Sequence, residues 1–139
     1  MKRYRAALGV TMIVATGLIG YSTGVAVGQG QSTRVYELRT YTTMPGRLPA
    51  LNKRFAEHTI QLFEKHGMKT ELFSVAADAP QSQNTFIYIL SHDSREAAKK
   101  SWDGLRNDPE FKELIEKSGR TTTKAEAIFV TPTDYSPLK

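Results

Sequence analysis

The sequence predicts an exported α+β domain: one four-stranded antiparallel sheet with helices on one face. Three observations support this. The N-terminus is basic, then uncharged, which is the layout of an export leader. Behind it, segments with two-residue alternation and segments with 3.6-residue spacing follow in the order β-α-β-β-α-β. A length of 139 residues, with 40% hydrophobic and 24% charged, suits one globular domain and not two.

Residues 1–28 form the leader. Lys2, Arg3 and Arg5 precede an uncharged run over 6–27. Small residues at Gly24, Ala26 and Gly28 fit cleavage after Ala26 or Gly28. The alternative is an uncleaved anchor, since an uncharged run of ~20 residues just reaches across a bilayer. Either way the domain is exported, periplasmic or extracellular, and meets a membrane only through this segment. Residues 29–33 read as a flexible linker and 34–139 as the domain.

Loss of the leader takes three of the 19 basic residues, leaving 16 against 14 acids. The remaining basic residues are interspersed with acids, so the patch that nucleic-acid binding requires is missing. The absence of cysteine excludes disulfides, thiolate metal sites and a cysteine nucleophile.

The first strand, 34–43, alternates Val35, Glu37, Arg39 and Tyr41 against Tyr36, Leu38, Thr40 and Thr42. Met44-Pro45-Gly46 breaks it. Helix one, 48–66, carries Leu48, Leu51, Phe55, Thr59, Leu62 and Phe63 on one face, and Gly67 ends it. The second strand, 69–77, and the third, 85–92, flank the polar loop 78–84. The third strand's apolar run predicts a central position. Asp93 is the expected N-cap of helix two, with Glu96 three residues on; Ala98, Trp102 and Leu105 share its inner face. Asp108 and Pro109 start a third helix over 111–117. The last strand is 121–131, closed by Pro132.

This order is the ferredoxin-like split motif. Strands one, three and four are too apolar to leave a whole sheet face in water, so a second copy, sheet against sheet, is the expected cover.

Several segments together resemble the NIPSNAP family. They are Tyr36-Glu37-Leu38-Arg39-Thr40-Tyr41, Pro45-Gly46, His66-Gly67-Met68, Asn84 with Tyr88, Asp108-Pro109-Glu110-Phe111, and the terminal run from Pro132 to Leu138. The resemblance spans Val35 to Leu138. It implies a dimeric α/β barrel and a homodimer, but no particular chemistry. Phe111 departs from the tryptophan common at its position.

Four residues are singled out as ligand-binding: Glu37, Arg39, Tyr41 and Tyr88. If the face bearing Glu37 and Arg39 lines the barrel lumen, a carboxylate and a guanidinium stand in an apolar chamber. Arg39 then holds an anionic or carbonyl group while Glu37 orients it or acts as base. The competing reading is a structural ion pair. Tyr41, Tyr88 and Trp102 line the chamber or belong to the core. His58 and His66 read as surface or helix-end residues; the resemblance to the superfamily also implies a haem axial role for one of them. No histidine pair has zinc-site spacing, and neither a nucleophile elbow nor a phosphate-binding glycine loop is present. No cofactor is called for. The reading is an exported homodimer binding a small, partly apolar molecule in the lumen. The alternatives are a cofactor-independent monooxygenase or isomerase, or a protein-interaction module.

Overall fold

The computed structural model describes residues 34–138, so the leader and linker assignments lie outside the described residues. Strand β1 (Val35–Thr43) leads to helix α1 (Leu48–Arg54), a π-helical turn (Phe55–Thr59) and α2 (Ile60–Lys65). Then come β2 (Lys69–Val75), a short 3-10 turn (Gln81–Gln83) and β3 (Thr85–His92). Helices α3 (Arg95–Asn107) and α4 (Pro109–Ser118) precede β4 (Thr122–Val130). The sheet is antiparallel, in the order β2-β3-β1-β4. The expected α+β class, element order and central third strand are all present.

The apolar stripe on the first helical segment does what its spacing predicts. Leu48, Leu51, Phe55, Leu62 and Phe63 are buried against Phe86, Tyr88 and Leu90 of β3, with Leu105 of α3 completing the core. The stripe runs straight through a π turn that helical spacing alone does not reveal. There Ile60 N–H donates to the Phe55 carbonyl, and the Thr59 hydroxyl donates to the Arg54 carbonyl (3.3 Å). Such turns absorb one extra residue and recur at functional sites. Rings of Phe55, Phe63, Phe73, Phe86 and Tyr88 pack with centroids 4.8–6.1 Å apart, the spacing of attractive aromatic pairs.

Two helix starts differ in detail from expectation. Ser94, not Asp93, caps α3, its hydroxyl accepting from Ala97 N–H (3.0 Å). A serine oxygen reaches the third amide of the first turn, which satisfies one of the orphan donors there. Asp108 caps α4 as expected, accepting from Glu110 N–H (2.9 Å), but the helix begins at Pro109 rather than Phe111.

The strand register decides which face each side chain takes. Glu37 lies opposite Leu90, Arg39 opposite Tyr88 and Tyr41 opposite Phe86. Directly paired residues of an antiparallel ladder share a face. Phe86, Tyr88 and Leu90 are core residues beneath the helices, so Glu37, Arg39 and Tyr41 are on the helix-packed face. This corrects the expectation that they line a lumen between two sheets. Alternation fixed the grouping, but both sets contain apolar residues, and only the packing of the helices shows which set is inward. The opposite face carries Leu38, Ile87, Ile89, Leu72 and Ile128, of which Leu72 is 45% and Ile128 57% exposed. No helix among the described residues is long and apolar enough to cross a membrane.

Candidate ligand-binding site

The helices do not reach the edge of the sheet. Ala125, Ala127 and Phe129 of β4 pair with Tyr41, Arg39 and Glu37, so they point to the helix side, yet all three are exposed. The strip between β4 and the helices holds a pocket over Tyr41 and Ala125 beside α4, and is closed over Glu37 by His92 and Trp102. Its two ends differ chemically.

At one end Glu37 is the hub of a buried network. Its carboxylate accepts from Arg39 Nη1 (2.9 Å), Trp102 Nε1 (2.7 Å) and His92 Nε2 (3.0 Å). The Glu37 side chain is 5% exposed and that of His92 0%. Burial pushes the Glu37 carboxyl up, but the hydrogen bonds from His92 and Trp102 and the charge on Arg39 outweigh it. The group titrates below its ordinary 4.5. Arg39 also lies 4.1 Å from the Trp102 ring centroid, a cation-π contact. Glu37 is thus fully engaged within the fold, as the structural ion-pair reading expects. Arg39 Nε and His92 Nδ1 are buried without a hydrogen-bond partner among the described residues. Trp102 was legible as an inner-face residue; its indole hydrogen bond to Glu37 was not. His92 was not singled out, because a lone histidine at a strand end carries no spacing signal.

The other end is a pocket of about 540 Å3 lined by Tyr41, Arg54, Phe111, Ile115, Thr121 and Ala125. That volume is within the range of small-molecule sites. Tyr88 is 0% exposed and its hydroxyl donates to the Tyr41 hydroxyl (2.8 Å). Burial pushes the Tyr88 phenol well above its ordinary 10.0, so it stays protonated. Arg54 has no carboxylate partner among the described residues, and its Nε is buried without a hydrogen bond. Burial weighs against its charge and lowers its pKa from the ordinary guanidinium value; the Tyr41 and Tyr88 phenols oppose that effect and nearby Arg47 adds to it. Arg54 was missed in the sequence because helical spacing puts it on the polar face of helix one. Arg47 Nη2 donates to the Ser118 carbonyl (2.9 Å), which ties the start of α1 to the end of α4.

A larger hollow, about 850 Å3, lies over α3 beside His66, Lys65 and Lys99. Its charges are largely paired with one another. His66 Nε2 bonds Asp108 Oδ2 (2.7 Å), Lys65 Nζ approaches the same oxygen (2.9 Å), and Lys99 bonds Asp103 (2.7 Å). His66 thus closes a link between two segments of the resemblance. Its Nε2 is taken by Asp108 and its Nδ1 packs against Gly104, while the His58 side chain is 55% exposed beside Glu57. Among the described residues no cluster of His, Asp and Glu is arranged to hold a metal.

The same architecture occurs in solved structures. A NIPSNAP family protein with unknown function from Agrobacterium tumefaciens is 23% identical. The match covers 78% of this chain and 96% of that one, with a TM-score of 0.71. An uncharacterized NIPSNAP-like domain protein from Burkholderia xenovorans is 16% identical over 77% and 91% of the two chains, with a TM-score of 0.69. More distantly, SnoaB, a cofactor-independent oxygenase from Streptomyces nogalater, is 13% identical over 76% and 98%, with a TM-score of 0.54. Comparison with the curated proteins finds no match. The model of the NIPSNAP family matches residues 36–137, which takes in all the strands and helices described above but for Val35, and the chain belongs to that family.

Proposed function

We propose that this exported domain binds a small, partly apolar molecule in the helix-side cleft, at the pocket over Tyr41, and works as a homodimer joined through the opposite sheet face. The observation that carries the reading is the pocket itself. It combines ring and aliphatic walls (Tyr41, Phe111, Ile115) with the Arg54 cation, which has no carboxylate partner among the described residues. This moves the expected site from a lumen between sheets to the space between sheet and helices. Tyr41 and Tyr88 remain in it as wall and support. Arg39 stands behind Tyr41, 5.7 Å from its ring, and Glu37 holds Arg39.

Turnover of the bound molecule without a cofactor, as a monooxygenase or isomerase, rests on fold similarity alone and is the weaker reading. A thermal-shift screen of small acids, ketones and phenols on the wild type and on Ala125→Trp tests binding. Ala125 lines the pocket on the exposed edge strand, so a tryptophan there fills the pocket without entering the core. Hits that stabilise the wild type and not Ala125→Trp place the ligand in the cleft. Hits that stabilise both equally refute that placement.

A further inference from the structure

Resting on the cleft reading, we infer that the pocket selects a ligand carrying an oxyanion (a carboxylate, enolate or phenolate), received jointly by the Tyr41 hydroxyl and the Arg54 guanidinium.

The argument follows the hydrogen atoms. The Tyr88 ring is enclosed by Phe55, Phe63, Phe73 and Phe86, and among the described residues its hydroxyl has one hydrogen-bond partner, the Tyr41 oxygen. A buried hydroxyl spends its proton on an available acceptor. Tyr88 therefore donates to Tyr41. The Tyr41 oxygen is then committed as acceptor on its inner side, and its own proton is left for the pocket that Tyr41 lines. Donation from Tyr88 also makes that proton a stronger donor, since linked hydrogen bonds polarise one another.

Arg54 supplies the second donor. A guanidinium has five N–H groups and no acceptor capacity. Here Nε is buried without a partner, and no carboxylate among the described residues pairs with the cation. The pocket's other cation, Arg120, is on the exposed rim, where its Nε donates to the Thr122 carbonyl (3.2 Å). The one carboxylate lining the pocket, Glu116, is exposed. Away from the rim, the charge that lines the pocket is thus cationic. A neutral donor ligand leaves Arg54 desolvated and unpaired, whereas an oxyanion satisfies both groups at once. The Arg54 carbonyl also opens the π turn, accepting from Thr59, so the cation is attached where the helix departs from regular geometry.

The test uses two fluorescent probes with the same ring system. Anilinonaphthalene sulfonate carries an anionic head, and N-phenylnaphthylamine carries none. Both are titrated into wild type, Arg54→Gln, Arg54→Lys, Tyr41→Phe and Ala125→Trp, each checked for a native circular-dichroism spectrum. The wild type should bind the sulfonate about tenfold or more tightly than the neutral probe, the ratio expected of a charge-assisted hydrogen bond. Arg54→Gln should abolish the ratio, Arg54→Lys should restore part of it, and Tyr41→Phe should cut it severalfold. Ala125→Trp should weaken both probes. Equal wild-type affinities, or a ratio that survives Arg54→Gln, overturn the oxyanion inference while leaving the cleft intact. No binding of either probe, or binding untouched by Ala125→Trp, overturns the cleft reading as well. The wild-type ratio decides the matter even if the Arg54 variants fail to fold.

Discussion

Replacement of Glu37 by alanine tests the most heavily connected point of the fold. The carboxylate accepts three hydrogen bonds, from a guanidinium, an indole and an imidazole, at 2.7–3.0 Å. Truncation leaves the Arg39 cation and two further donors without an acceptor, and the His92 side chain is 0% exposed. Breaking a buried charged pair in this way costs about 3–5 kcal/mol. For a domain of this size that is a fall in Tm of roughly 12 °C or more. Urea and thermal melts followed by circular dichroism measure it. The companion Glu37→Ala/Arg39→Ala should recover only part of the loss. Arg39 is 18% exposed and is one of three donors, while His92 and Trp102 stay orphaned in the double variant. The pH dependence follows in sign. The folded Glu37 pKa lies below 4.5, so its contribution is complete above about pH 4.5 and is lost as pH falls through the folded value. A loss under about 1 kcal/mol for Glu37→Ala would refute the hub. So would full recovery in the double variant, which would make Arg39 the only partner that matters.

The remaining predictions are brief. Ile128→Lys places a charge on the exposed sheet face; light scattering should show wild type near twice the single-chain mass and the variant near one, and a monomeric wild type refutes the dimer. Gly104→Ala sets a methyl 2.8 Å from His66 Nδ1, whose ring Asp108 holds in place; melts should show about 1–2 kcal/mol of destabilisation despite alanine's better helix propensity. Protein recovered from an exporting host should have lost about 26–28 residues by intact mass. A full-length chain in the membrane fraction favours the anchor, and a full-length soluble cytoplasmic chain refutes both forms of export.

The parts of this fold legible in the sequence are those governed by neighbours along the chain. Leu48, Leu51, Phe55, Leu62 and Phe63 declared the buried helical stripe, and Asp108-Pro109 declared a helix start, because periodicity and capping are local rules. The candidate site was half legible for the same reason. Alternation grouped Glu37, Arg39 and Tyr41, and paired charges in an apolar setting marked them for attention. Which side of the sheet they occupy depends on where the helices, all later in the chain, come to rest, and alternation is silent on that. The Trp102 and His92 contacts to Glu37 span 65 and 55 residues. Arg54 was hidden for another reason. Helical spacing assigns it to solvent, and it becomes a pocket residue because Phe111 and Ile115 of α4 line the same hollow.

These assignments divide the sheet's two faces between two tasks, and the division follows from how much of each face the helices cover. The helix side is sealed over β3, where Tyr88 and Leu90 are 0% exposed, and is open over β4, where Ala125 and Ala127 are exposed. Small residues at those two positions leave room, so the uncovered strip is a pocket and not a flat edge. Among the described residues the far side carries no helix and exposes Leu72 and Ile128, an apolar face suited to burial against another surface. β4 is the strand where the two tasks meet, with Ala125 facing the pocket and Ile128 facing the proposed partner. A second copy on the far face would hold β4 against fraying, and so hold the pocket wall in place. Ile128→Lys should therefore weaken probe binding as well as assembly, although Ile128 is on the opposite side of the sheet from the pocket. Unchanged probe affinity in a monomeric Ile128→Lys variant would show that the pocket is complete within a single chain.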